Sequence, residues 1–209
     1  MIDLRSALIR NMLFAGLSAQ QLEQIARASR LKSFVEGQAL AREWEHGDRF
    51  FVLVEGSVRV SRVNEEGDEV IYRVLHPPAG IGYLLLSNQP HTADVVAAAE
   101  AVVVSVPVAE LRALFVEDPS LSFRAIADLA AIVDTLSTEL LERQTVPLGE
   151  RVRIAVLRHA DSAGVLRVSH EELGRLVGAT RANITRALRS LEENGELVVR
   201  RRFIQLVKR

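Results

Sequence analysis

Cysteine is absent from all 209 residues. That excludes disulfides, zinc–thiolate sites, iron–sulfur clusters and thiol nucleophiles together, and it fits a reducing compartment. Aromatic residues are scarce, at 5 %. No apolar run approaches the roughly 18 residues that a membrane span needs. The first 19 residues carry Asp3, Arg5 and Arg10 inside their apolar pattern, so they lack the uncharged stretch of a signal peptide. A cytoplasmic protein with no membrane partner is expected. The five histidines are His46, His76, His91, His159 and His170, and none are paired at i, i+3 or i+4 as a metal-binding helix pair would be. No metal site is expected. Nor is an enzyme, because the chain has no phosphate-cradling loop, nucleophile–base arrangement or paired carboxylates in a plausible cleft.

What is present is an uneven distribution of charge. Glu150 to Arg209 holds 13 basic and 7 acidic residues, a net of +6, on a body carrying −7. A basic C-terminal third suggests a polyanion partner for that part alone.

The hydrophobic period changes along the chain. Ser18 is placed as the N-cap of a helix whose Leu22, Ile25 and Ala26 share a face. From about residue 31 to 107 the runs are short and β-like. Phe50–Val54 is stopped at Glu55-Gly56, and Ser57–Val63 alternates with period two before the Asn64–Gly67 turn. Glu69–Leu75 and a strand pair over 95–108 follow. Trp44 and Tyr83 are expected to pack in this barrel. A short helix then spans 108–115, and a long one runs from about Pro119 to Thr145. In the long helix Ile126, Leu129, Val133, Leu136 and Leu140 are spaced 3, 4, 3, 4, a seam of two heptads that points to self-association.

After Pro147 come a helix, a short strand and the capping box Ser169–Glu172, which opens a second helix. A turn at Val177–Ala179 leads to Thr180 as the next N-cap. A helix over Arg181–Glu193 ends at Asn194-Gly195. Leu197–Val199 and Phe203–Val207 then form a hairpin around Arg200–Arg202. Helix, glycine turn, helix and basic hairpin is the order of a winged helix-turn-helix.

These residues resemble the Crp/Fnr regulators of bacteria over nearly the whole chain. The likeness runs through Glu36-Gly37, His46–Asp48, Val54–Gly56, Gly80–Leu86 and His91–Ala93, and it is closest from Leu173 to Gly195. It implies an α+β chain. Residues 1–117 would form a cyclic-nucleotide-binding-like β-barrel of jelly-roll type, 118–146 a dimerisation helix, and 147–209 a winged helix-turn-helix. The partners it implies are double-stranded DNA, a second copy of the chain and RNA polymerase.

The resemblance also assigns residues. Ser169, His170 and Thr180 match phosphate-contacting positions, and Arg181 and Arg186 match positions that reach guanines. Asn183 and Thr185 lie on the same early turns, Arg189 is one turn further on, and Arg201 lies in the wing. Ala182 stands where many members have a cytosine-reading Glu. The effector pocket departs from the cyclic-AMP-binding pattern. Gly82-Tyr83 replaces Gly-Glu, His91 before Thr92 replaces Arg, and Leu136-Ser137 replaces Thr-Ser. A cyclic phosphate would lack its bidentate Arg partner there. A scaffold without cyclic AMP and without a resident cofactor is therefore expected, with a haem held by His76 or His91 left open. An effector-binding regulatory subunit is the alternative function. The effector, the operator and the direction of regulation are not legible.

Overall fold

The computed structural model describes residues 2–67, 69–161 and 163–207. They form two compact units, the first comprising residues 2–62 and 73–133, the second the described residues of 63–72 and 134–207. The division falls inside the long helix, which the sequence set apart as a segment of its own.

The first unit opens with α1 (Leu4–Ile9) and α2 (Ala19–Ala28). Ser18 caps α2 by accepting from the Gln21 amide at 3.3 Å, while Gln21 reaches back to the Ser18 amide at 2.9 Å. Eight strands follow along the chain, the end of β4 and the start of β5 being assigned to the second unit: β1 (Arg30–Phe34), β2 (Ala39–Ala41), β3 (Arg49–Glu55), β4 (Val58–Val63), β5 (Glu69–Leu75), β6 (Gly80–Ile81), β7 (Asp94–Ala97) and β8 (Ala101–Pro107). They make two four-stranded sheets, β1-β8-β3-β6 and β2-β7-β4-β5. A 3-10 turn, Tyr83–Ser87, sits between β6 and β7.

Strand β3 shows why its sequence is a continuous apolar run. Side chains alternate across a strand. Phe50 and Val52 therefore enter one core with Leu8, Phe14, Ile25, Val104 and Leu114, from the helices and β8. Phe51 and Leu53 enter the core between the sheets with Phe34, Val58, Val95 and Val103. A strand buried on both faces has no polar side. Pro107 starts α3 (Val108–Glu117), which covers the first core with Leu111 and Leu114. Trp44, expected in the barrel packing, is instead 67 % exposed. Its backbone has φ 67°, and the Arg62 guanidinium stands 6.0 Å from its ring centroid.

The long helix α4 spans Ser120–Thr145, and only its Leu121 and Ala125 are buried. The second unit holds its C-terminal half, then α5 (Leu148–His159), β9 (Val165–Leu166), α6 (His170–Val177), α7 (Arg181–Glu193), β10 (Leu197–Arg200) and β11 (Phe203–Leu206). The strands form the sheet β10-β11-β9. Val152, Val156, Leu173, Ile184, Leu188, Leu197 and Ile204 make its core. No helix among the described residues is long and apolar enough to cross a membrane.

Candidate nucleic-acid interface and effector pocket

The α6–turn–α7 corner is fixed by three local devices. Ser169 accepts from the Glu172 amide at 3.1 Å, and Glu172 accepts from the Ser169 amide at 2.6 Å, which closes the capping box. Gly174 lets the turn approach. A Cβ there would lie 2.5 Å from the Ala179 carbonyl oxygen, which no side chain tolerates without a shift. Gly178 ends α6 at φ 70°, a left-handed conformation that glycine adopts without steric cost. Arg151 donates to the Val177 carbonyl at 2.8 Å, adding a cation at the negative end of the α6 dipole.

Thr180 then caps α7 by accepting from the Asn183 amide at 3.3 Å. Apolar residues at helical spacing, Ile184, Leu188 and Leu191, face the core. The other face carries Arg181, Ala182, Thr185, Arg186 and Arg189, all exposed, with Asn183 half-buried. Arg186 donates to the Asn183 amide oxygen at 2.5 Å, so the two side chains form one unit on this face. The Thr185 hydroxyl donates to the Arg181 carbonyl at 2.9 Å and lies 3.0 Å from His170 Nδ1. Arg189 pairs with Glu193 at 2.9 Å and stays largely in solvent.

The wing arginines differ from one another. Arg202 adopts φ 51° and donates to the Glu172 carboxylate at 3.2 Å, which ties the wing to the capping box. Arg200 stands 5.8 Å from the Phe203 ring centroid. Arg201 is exposed between them. Sequence reasoning could not separate these three, because the difference arises where the hairpin folds back on Glu172.

Of the residues that the sequence assigns to an effector pocket, Gly82, Tyr83, His91 and Thr92 belong to the first unit, and Leu136 and Ser137 to the second. Gly82 sits at φ 107°, where an L side chain would be strained. Tyr83 packs edge-on to Phe50, with ring centroids 5.1 Å apart, and its hydroxyl donates to the Asp128 carboxylate on α4. Burial first, and then Asp128, push its phenol proton affinity far up. The barrel packing expected of Tyr83 is present, but the bond to Asp128 was not legible, since 45 residues separate the two. His91 is buried and Thr92 is exposed. The His91 amide donates to the Glu45 carbonyl at 3.0 Å, and its carbonyl accepts from the Trp44 amide at 2.8 Å. Its Nε2 lies so near Gly47 that a Cβ there would approach to 3.1 Å. Burial lowers the His91 pKa, with Glu45 acting in opposition. A buried imidazole held neutral offers hydrogen bonds but no net charge. Leu136 and Ser137 lie on the α4 segment of the second unit and are exposed. Among the described residues, no group of three or more metal-ligating side chains is gathered.

Residues 31–118 match the cyclic nucleotide-binding domain, and residues 150–209 match the Crp-like helix-turn-helix domain. The CRP-like cAMP-activated global transcriptional regulator of Mycobacterium tuberculosis is 25 % identical over 198 residues, 90 % of this chain and 88 % of that protein. The global nitrogen regulator of Synechococcus elongatus is 25 % identical over 188 residues, 83 % of this chain and 84 % of that one. The c-di-GMP responsive global regulator CLP of Xanthomonas campestris shares the fold with a TM-score of 0.77 at 16 % identity, over 92 % of this chain and 100 % of that one. The domains are those of transcription regulators rather than enzymes, and a cyclic nucleotide-binding domain followed by a Crp-like helix-turn-helix makes this chain a member of the Crp/Fnr family.

Proposed function

We propose that the chain acts as a homodimer that reads a near-palindromic DNA site, with a sensor pocket not built for cyclic AMP. The observation that carries the reading is the exposed polar face of α7, where Arg181, Asn183 and Arg186 stand together within the segment from Glu150 to Arg209, whose net charge is +6. A planar guanidinium matches guanine O6 and N7 in the major groove. Ser169, His170 and Thr180, at the first turns of α6 and α7, are assigned to phosphates, as is Arg201 of the wing. Thr185, whose hydroxyl donates to the Arg181 carbonyl, and Arg189, one turn further on and paired with Glu193, are assigned to the neighbouring phosphate backbone or solvent.

Dimerisation is assigned to α4. Ile126, Leu129, Val133, Leu136 and Leu140 are exposed in the single chain at coiled-coil spacing. Burying such a stripe against a second copy removes a contiguous apolar surface from water.

Loss of cyclic AMP is supported by the environment of His91. A buried, neutral imidazole stands where a phosphate would need a cation, and Tyr83 is occupied with Asp128. The relatives carry names that refer to cAMP, to nitrogen and to c-di-GMP, so the fold is not confined to regulators named for cyclic AMP. The expected setting is the cytoplasm, with RNA polymerase as a further partner. Selecting duplexes from a random pool without added nucleotide tests the proposal. Enrichment of a two-fold symmetric site with half-site centres about 34 Å apart supports it. No enrichment without cyclic AMP contradicts it.

A further inference from the structure

His170, the first residue of α6, has its proton placement dictated by α7. Its Nδ1 lies 3.0 Å from Thr185 Oγ1, and that hydroxyl lies 2.9 Å from the Arg181 carbonyl oxygen. A hydroxyl carries one hydrogen. Placed toward His170, it would leave two oxygens facing each other at 2.9 Å with nothing between them. Placed on the Arg181 carbonyl, it leaves Oγ1 lone pairs toward the imidazole. Both contacts are hydrogen bonds only when His170 Nδ1 carries the proton and donates. Neutral His170 then has a bare lone pair at Nε2. That nitrogen lies on the far side of the ring from Thr185.

A duplex placed against the polar face of α7 brings its backbone across the first helix of the motif, beside the α6 N-terminus. A bare Nε2 repels a phosphate oxygen. Taking one proton from solvent converts it into a charged donor, and charge-assisted bonds to phosphate are the strong ones. The surrounding charges leave this role open to the imidazole. On α6, Glu171 is paired with Arg175 at 2.6 Å. Glu172 is engaged by the Ser169 amide and by Arg202 of the wing. Helix α7 presents Arg181 and Arg186.

We infer that His170 couples DNA binding to the uptake of a proton, with Thr185 as the residue that positions its ring and fixes its tautomer. This rests on the DNA-binding reading above. The bound state favours the protonated ring, so affinity is greatest at low pH and declines as the pH rises.

Binding isotherms on a duplex selected by the full-length protein test this between pH 5.5 and 8.5 at constant ionic strength. The wild type should bind roughly tenfold or more tightly at the acid end, since one linked proton changes affinity by up to about tenfold per pH unit. His170→Gln, which keeps a neutral donor, should show a flat profile. Nitrogen-15 correlation spectra of the free protein at pH 8.5 should show His170 protonated at Nδ1, and Thr185→Val should abolish that preference. Equal pH profiles for the wild type and His170→Gln would overturn the inference, as would an Nε2-protonated ring in the free protein. Tight binding by both proteins at every pH sinks the proton linkage alone. Absence of binding to any duplex at any pH sinks the DNA-binding reading with it.

Discussion

Arg186 and Arg201 carry similar charges in different surroundings, and their substitution should have different consequences. Arg186 is held by Asn183 on the exposed early turns of α7. Arg186→Ala should weaken the cognate site by roughly 1–3 kcal/mol and relax preference at one base pair per half-site, with a much smaller loss on random DNA. Arg201→Ala should weaken both duplexes alike and make the salt slope shallower by about one unit per subunit, because fewer counterions are released. Isotherms on cognate and scrambled duplexes over a salt series separate the two. Equal losses for Arg186→Ala would make it a phosphate contact. At the same scale, His91 links stability to pH. Its pKa is lowered from 6.5 by burial in the folded chain. The folded state thus binds fewer protons than the unfolded state below that value, and stability falls as the pH drops through the range beneath 6.5. Melting temperatures at pH 7.5 and 5.5 should differ in that direction, and His91→Gln should narrow the gap. An unchanged gap in His91→Gln would assign the effect elsewhere. The identities of these residues were legible in the sequence, but their partners were not. Tyr83 with Asp128 and Arg202 with Glu172 are contacts between distant segments, and local pattern carries no signal for them.

Elements were more legible than contacts, because most of their boundaries are set by nearest neighbours. The caps at Ser18, Ser169 and Thr180 fall where the hydroxyl precedes an apolar-periodic run, and each accepts the expected amide. The short strands β2 and β6 had no individual signature, since two or three residues cannot display a period. Trp44 misled for a related reason. Its side chain argues for a core, yet its backbone φ of 67° belongs to a turn that holds it in solvent. Gly174→Ala should destabilise the second unit by about 1–3 kcal/mol, since the added Cβ meets a backbone carbonyl rather than a flexible side chain. Denaturant unfolding measures it, and a neutral result would show that the corner relaxes freely. On α4, Leu129→Asp with Val133→Asp should turn a dimer into a monomer in sedimentation, because two charges per helix cannot be buried unpaired in an apolar seam. A variant that stays dimeric would place the interface elsewhere.

At the scale of the whole molecule, the sequence pointed to a barrel, a long helix and a winged helix-turn-helix in that order. The three changes of hydrophobic period each span tens of residues, and no local accident imitates them. What it could not resolve was the state of the pocket. That depends on whether a histidine is buried and neutral or exposed and charged. Both levels meet in the proposal that this chain binds a symmetric operator as a dimer and needs no cyclic AMP to do so. Titrating the full-length protein onto its selected duplex, with and without cyclic AMP at about 100 μM, tests that claim directly. A ligand moves this isotherm by its differential affinity for the DNA-bound and DNA-free protein, typically about 1–3 kcal/mol for coupled sites, a shift that the titration would resolve. The account predicts two chains per duplex and the same midpoint in both titrations. Binding that appears only when cyclic AMP is present, or one chain saturating the symmetric duplex, would contradict it.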